Sequence, residues 1–214
     1  MKPLRVLVAT LALALPSIAV AVERSVPATQ DAPTAEQVAE MMAAAARYTQ
    51  PGPEHRFLEL LVGDWDVGSR FTMMGSDAPV ERGTATTQWK VPGRWLESHW
   101  SGSVMGTEGN VFHVFGYDRL KMSFVWTGFS DMDTALNRAE GDLTQNADAL
   151  ILYGTLDEYL TGEHDKMVKY VYRFGGTRDE AGDWKSIDRI VLEVHDLAIG
   201  EANTKVLEFT YVRK

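Results

Sequence analysis

The chain has 214 residues, no cysteine and a formal net charge of −9 at pH 7. Without cysteine it can form no disulfide, thiol nucleophile or thiolate metal site, so its stability has to come from a packed core. The acidic balance makes nucleic acid phosphates and anionic lipid headgroups unfavourable partners. A chain of this length can bury such a core as one domain.

The first 21 residues have the layout of a secretory signal peptide. Lys2 and Arg5 form a positive region, residues 4–15 form an apolar run, and residues 19–21 are small. The apolar run is too short to span a bilayer. We therefore expect cleavage after Ala21, a periplasmic or secreted mature protein, and no membrane partner once the segment is removed.

Residues 22–33 lack any period and are typical of a flexible leader. Thr34 and Gln37 have the spacing of a capping box, which predicts a helix over residues 34–50. Its apolar face holds Val38, Met41, Met42, Ala45 and Tyr48. The Pro51-Gly52-Pro53 break ends this helix. A second, short helix then begins at Pro53 and ends before Gly63.

From residue 63 the apolar period changes from about 3.6 to 2. Ten short segments rich in β-branched and aromatic residues follow, separated by turn residues and with no long helical insertion. This pattern predicts an all-β domain over residues 51–214, an antiparallel meander of about ten strands closed into a lipocalin-like barrel. The second helix is expected to plug one end, with Trp65 packing across the barrel floor.

Three strands near the C-terminus show which side faces inward, because apolar and polar residues alternate in each. The predicted inward positions are Val168, Tyr170, Tyr172, Phe174, Ile190, Leu192, Val194, Leu207, Phe209 and Tyr211.

Five short motifs occur in one order along the second helix and the barrel. They are PGPEH with LxxLVGDWDV, then GRWL, GYD, YLTG and the terminal LEFTYVRK. Together they resemble the bacterial domain-of-unknown-function 1579 family, over about residues 51–214. The resemblance implies a lipocalin-like (calycin-type) barrel. It implies no reaction and no catalytic residues, and the helix over residues 34–50 lies outside it.

Glu97 and His99 are the first candidates for acid–base chemistry, since they alternate on one face of a strand with Trp95. Leu96, Ser98 and Trp100 occupy the other face, so the pattern leaves open which face points inward. If the pair faces the cavity, burial would shift both pKa values. His55, in the first turn of the second helix, is a further catalytic candidate, or else it binds a neighbouring group and fixes the helix to the barrel.

His113 alternates with Val111 and Phe115 and is expected to share their face. His195 is followed by Asp196, an arrangement comparable with haem-binding barrels of the nitrobindin type, but it falls on the polar face with Glu193. We therefore expect no haem, no other cofactor and no metal. Asp131 and Asp133 lack further ligands at loop spacing and are expected to cap a turn, and His164 is expected to be solvated.

Aromatic residues are numerous for a domain of this size, and a barrel interior needs large side chains. The predicted ligand-cavity residues are Trp65, Trp95, Trp126, Tyr170, Tyr172, Phe209 and Tyr211.

Three functions fit these patterns. The first is binding of a small, mainly apolar ligand in the barrel cavity. The second is an enzyme that uses a cavity carboxylate and histidine for proton transfer. The third is a filled barrel that acts through its surface or as a homodimer, with the helix over residues 34–50 as the docking element.

Overall fold

The computed structural model describes residues 32–73, 76–158, 162–197 and 204–214. The predicted signal peptide, residues 1–21, and the leader up to residue 31 lie outside the described residues. The chain divides after Glu40 into two units. The described part of the first unit is residues 32–40, and the second unit, Met41–Lys214, holds the barrel.

Two helices precede the strands, α1 (Ala35–Thr49) and α2 (Pro53–Glu59). At the start of α1, the Thr34 hydroxyl accepts from the Gln37 amide and the Gln37 side chain accepts from the Thr34 amide. The predicted capping box is therefore present. Four of the five residues on the predicted apolar face of α1 are exposed, including Met41 and Met42, which are each about two-thirds exposed, and Ala45 is half-buried.

Eleven strands follow in the described residues. They are β1 (Gly63–Met73), β2 (Ser76–Asp77), β3 (Glu81–Val91), β4 (Trp95–Val104), β5 (Thr107–Asp118), β6 (Ser123–Ser130), β7 (Asn137–Leu143), β8 (Ala149–Glu158), β9 (Glu163–Arg178), β10 (Trp184–Asp196) and β11 (Thr204–Arg213).

The strands form a closed antiparallel barrel. Strands β3 to β11 pair in chain order, and β1 pairs with both β3 and β11, so ten strands complete the circuit. The two-residue strand β2 pairs only with the end of β1. The predicted all-β, ten-stranded meander barrel is confirmed. Closure pairs the edges that an open meander of this length would leave free.

Helix α2 closes one end of the barrel, as predicted. Leu58 is completely buried in the core, and the Phe57 ring contacts Phe124 and Phe174 edge-on. The indole N–H of Trp89 on β3 donates to Glu59 on α2 at 2.7 Å. Burial of side chains such as Leu58 contributes roughly 1.5–3 kcal/mol each to folding.

Arg213, near the end of β11, joins α2 to the barrel. Its guanidinium donates to the carbonyl oxygens of Leu60 and Val62, both at 2.6 Å, and to that of Ile187 at 2.8 Å. It also lies over the ring of Trp65, 4.2 Å from the centroid. Gly63 allows this arrangement, because its φ of 146° favours glycine and a Cβ there would collide with the guanidinium. These contacts fix the sharp turn from α2 into β1.

The inward positions predicted on β9 and β10 are confirmed by the core, where Val168, Tyr170, Ile190, Leu192 and Val194 are all buried. Those predicted on β11, Leu207, Phe209 and Tyr211, are partly buried and pack against this core. Within the described ranges, no helix has both the length and the apolar character needed to cross a membrane.

Candidate functional site

An interior chamber of about 70 Å³ lies inside the barrel. Its walls are inward-facing side chains from strands on all sides together with Leu61, which follows α2. The lining residues are Leu61, Trp65, Thr87, Leu96, Ser98, His113, Phe115, Trp126, Leu150, Tyr172, Phe174, Ile190 and Tyr211. The wall is mainly apolar and aromatic. Besides Trp65, six of its side chains carry a hydroxyl, an imidazole or an indole N–H.

A row of small and polar residues crosses three neighbouring strand pairs on one side of the chamber. Thr87 pairs with Ser98, Ser98 pairs with His113, and His113 pairs with Gly128. The Thr87 hydroxyl donates to the Ser98 hydroxyl at 2.9 Å, so these two groups are hydrogen-bonded to each other. Because three of the four residues are small, the row leaves space in front of His113.

His113 is half-buried and lines the chamber, and its ring is 5.0 Å from that of Trp126, centroid to centroid. Within the described part of the chain, its nitrogens bind no protein group, so the surface they expose faces the chamber. Burial lowers the pKa of His113 to about 4. The imidazole is therefore neutral at pH 7, with one N–H donor and one acceptor nitrogen.

Tyr172 and Tyr211 bring two hydroxyls to the same chamber. Burial raises the pKa of both, and the neighbouring phenols Tyr211 and Tyr170 raise that of Tyr172 further. Both groups therefore stay protonated. Among the described residues, neither hydroxyl has a hydrogen-bond partner in the protein. Buried polar groups are normally paired, so these hydroxyls are available to water or to a ligand.

Trp126 adds a fourth polar group to the wall. Its side chain is buried, 8% exposed, and its indole N–H has no acceptor in the described ranges. An indole N–H can only donate, so only an acceptor can satisfy it.

Four of the predicted cavity residues, Trp65, Trp126, Tyr172 and Tyr211, line the chamber. Two others face the interior without lining it. Tyr170 packs against Trp126 with ring centroids 4.9 Å apart, and Phe209 packs against Trp100 at 5.7 Å.

Trp95 lies on the outer face of the barrel, which corrects the expectation that it lines the cavity. Its neighbours Leu96 and Trp100 are the buried residues of β4, at 1% and 2% exposure, so the odd-numbered positions face outward. The Trp95 ring lies over Gly116 of β5, where a Cβ would collide with it. It borders an outer groove of about 400 Å³. The groove is open to solvent, so water can satisfy its polar groups.

Glu97 and His99 share the outer face with Trp95, so the proposed acid–base pair does not enter the chamber. The Glu97 carboxylate pairs with Lys90 at 2.9 Å and accepts from Gln88 at 2.8 Å. Hydrogen bonds from these two side chains lower its pKa. His99 bonds to Asn110 at 3.1 Å and stacks on Phe112. The two residues therefore have separate structural partners.

His55 is buried at the start of α2 and closes the helix terminus. Its Nδ1 accepts from the Gly52 amide at 3.0 Å, and its ring contacts Tyr117 edge-on. Burial is the main cause that lowers its pKa. This geometry places His55 in a capping role outside the chamber lining.

His195 lies on the outer face of β10, because Val194 beside it points into the core. Its Nε2 is 3.3 Å from a Glu193 oxygen. The ring thus points away from the chamber, where a haem ligand would have to be.

The remaining acidic and histidine candidates lie in turns or at the end of a strand. The Asp131 carboxylate accepts from both the backbone and the side-chain amide of Asn110, each at 2.7 Å, and Asp133 accepts from the Ala135 amide. His164 is exposed beside Asp165. In the part of the chain that the structure describes, no cluster of three or more His, Asp or Glu side chains could hold a metal ion.

The sequence pattern predicted that His113 shares a face with Val111 and Phe115, but His113 was not selected as a site residue. The signal was the alternation of an ionisable residue with Val111 and Phe115, which are both partly buried against the core in the structure. Thr87 and Ser98 were missed for a different reason, because each lies on a strand where both faces mix polar and apolar residues.

Comparison with known proteins agrees with the fold. A family model described as "Protein of unknown function (DUF1579)" matches residues 50–213. The chain belongs to this family. The resemblance drawn from the five motifs is therefore confirmed. The family's description assigns no reaction to the chamber. No curated protein matches the sequence at a significant level.

Among solved structures, the chain is similar to the crystal structure of Rv2717c from M. tuberculosis. The two are 12% identical with a TM-score of 0.51, and the match covers 77% of this chain and 99% of that one. At this identity the likeness shows a common fold alone.

Proposed function

We propose that the chain binds a small, mainly apolar molecule in the interior chamber, as a carrier or sensor. The observation that carries this proposal is the chamber itself, an interior space whose walls are mainly aliphatic and aromatic. Ligand sites in proteins are typically concave and mostly apolar, with a few polar groups that fix orientation. His113, Trp126, Tyr172 and Tyr211 supply such groups here.

The chamber volume limits the ligand. A cavity of about 150 Å³ accommodates benzene, and drug-sized ligands need about 300–1,000 Å³. At about 70 Å³ the chamber fits a molecule smaller than benzene, or the end of a longer one. Larger ligands would require Leu61 and α2 to move.

We also propose that binding takes place outside the inner membrane. The support is the sequence pattern of residues 1–21, with its positive start, its short apolar run and its small residues before Ala21.

Xenon titration followed by NMR tests the proposal, because xenon enters apolar cavities without needing polar contacts. Saturable binding to the mature protein is expected, with amide shifts confined to strands that line the chamber. A Thr87→Val/Ser98→Leu variant should abolish binding by filling the space. Replacing both members of a hydrogen-bonded pair with apolar groups is tolerated better than replacing one.

The matched control is Thr87→Val/Ser98→Ala, which removes the same hydrogen bond but leaves the chamber open. It should bind xenon at least as well as the wild-type protein. Absence of saturable xenon binding in both the wild-type and the control protein would contradict the proposal.

A further inference from the structure

The chamber wall carries no charged group at neutral pH. Its polar side chains are those of Thr87 and Ser98, whose hydroxyls are hydrogen-bonded to each other, together with Trp65, His113, Trp126 and the two tyrosines. A charged ligand would lose its hydration without gaining an opposite charge, which costs far more than burying a neutral polar group. The composition of the wall therefore favours a neutral ligand.

Each of the unpaired groups in the wall can donate a hydrogen bond. The Trp126 indole N–H is buried without an acceptor among the described residues. In the same ranges the Tyr172 and Tyr211 hydroxyls and the His113 ring make no hydrogen bond to the protein. Buried donors without a partner are rarer in proteins than buried acceptors without one. A molecule in contact with these groups would have to supply acceptor atoms to satisfy them.

The apolar part of the wall determines the chemical character expected of the rest of the ligand. Leu96, Phe115, Leu150 and Ile190 surround the polar groups with apolar surface. A ligand of the required size would therefore combine one acceptor atom with a compact hydrocarbon body.

We infer that the chamber selects a small neutral molecule with a hydrogen-bond acceptor on an apolar body. A simple ketone is an example of this class. The selecting residues are Tyr172 and Tyr211. This inference rests on the proposed function, since it concerns the same chamber, and it adds the chemical class of the ligand.

Three probes of nearly equal size and shape test the inference: acetone, isobutene and acetate. Acetone has the acceptor, isobutene replaces its oxygen with a methylene group, and acetate adds a negative charge. Affinities are measured by NMR titration of the mature protein. Acetone and isobutene are expected to bind saturably in the chamber, and acetate is expected to bind at least about tenfold more weakly than acetone.

Tyrosine-to-phenylalanine variants identify the donors. Tyr172→Phe and Tyr211→Phe keep the rings, and each should lower the ratio of acetone affinity to isobutene affinity about threefold to tenfold. Tyr153→Phe is the matched control, since Tyr153 is half exposed on the outside, and it should leave the ratio unchanged. If one chamber variant fails to fold, the other supplies the same measurement.

The possible results separate the two proposals. Binding of acetone and isobutene with a ratio that neither chamber variant changes would overturn the inference and leave the proposed function standing. Acetate binding as tightly as acetone would also overturn the inference. If none of the probes and no xenon enters the wild-type chamber, the proposed function itself fails.

Discussion

His113 lies directly opposite Gly128 in the pairing of β5 with β6, and its ring occupies the space that a side chain on Gly128 would need. A Cβ on Gly128 would lie 2.7 Å from the Cδ2 of His113 and 2.7 Å from a ring carbon of Trp126. Glycine at this position therefore allows two of the polar chamber residues to pack side by side.

Gly128→Ala should move His113 or Trp126 from its place. Both rings are held by the interior, so we expect a loss of about 1–3 kcal/mol in the free energy of unfolding. Urea denaturation measures it. Gly175→Ala on β9 is the control, because a Cβ there meets only ordinary contacts, near 3.6 Å from the Arg189 Cβ. Equal free energies of unfolding for the two variants would show that a Cβ at position 128 does not collide with His113 or Trp126.

The low pKa of His113 predicts a dependence of stability on pH. The unfolded chain binds a proton on this residue below about pH 6.5, whereas the folded protein does so only below about 4. Protonation therefore favours the unfolded state between these values, and the stabilisation present at neutral pH is lost as the pH falls through this window. The expected loss attributable to His113 is about 3 kcal/mol.

His113→Gln removes this proton. Its free energy of unfolding should fall less between about pH 7 and pH 4 than that of the wild-type protein. His55 has a lowered pKa as well, but it is present in both proteins and cancels in the comparison. Identical pH profiles for the two proteins would show that His113 is not buried as a neutral imidazole.

The contacts of Arg213 predict that this side chain stabilises the attachment of α2 to the last strand, β11. Arg213→Lys keeps the charge but cannot reproduce the three carbonyl contacts, and we expect a loss of about 2 kcal/mol in unfolding free energy. Hydrogen exchange should accelerate most in α2. Arg173→Lys is the control, since Arg173 is mostly exposed and pairs only at 3.4 Å with Glu193. Equal stability of the two variants would argue against this role for Arg213.

Strand positions and the fold were predictable because burial on one face forces a period of two. On β9, β10 and β11 the apolar set is nearly pure, so the inward residues Tyr172, Leu192 and Tyr211 could be assigned from the sequence. The short apolar-faced helix that ends at Gly63, directly before the change of period, then placed α2 at one end of the barrel.

The β4 strand could not be assigned in the same way. Its outer face carries Trp95, held over Gly116, and its inner face carries Ser98, paired with Thr87. Each face of β4 thus contains a residue that breaks the alternation of polar outer and apolar inner positions. The residue that it packs against or bonds to lies on a neighbouring strand. Alternation within one strand contains no information about such partners, so Glu97 and His99 could not be placed.

Export is a prediction from residues 1–21 that can be tested independently of the chamber. Expression of the full chain in a Gram-negative host should give a periplasmic product whose N-terminus is Val22, determined by intact mass and N-terminal sequencing. Replacing Ala19 and Ala21 with larger residues should block processing and leave the precursor. A product that starts at Met1 and stays in the cytoplasm would contradict export.

The most direct measurement of the central claim is a crystal structure of the mature protein under xenon pressure. The account predicts xenon density inside the barrel, between Leu96, Trp126 and Tyr211, and its disappearance in the Thr87→Val/Ser98→Leu variant. A wild-type barrel with side chains filling that space and no xenon in it would contradict the claim that this chain has an interior ligand site.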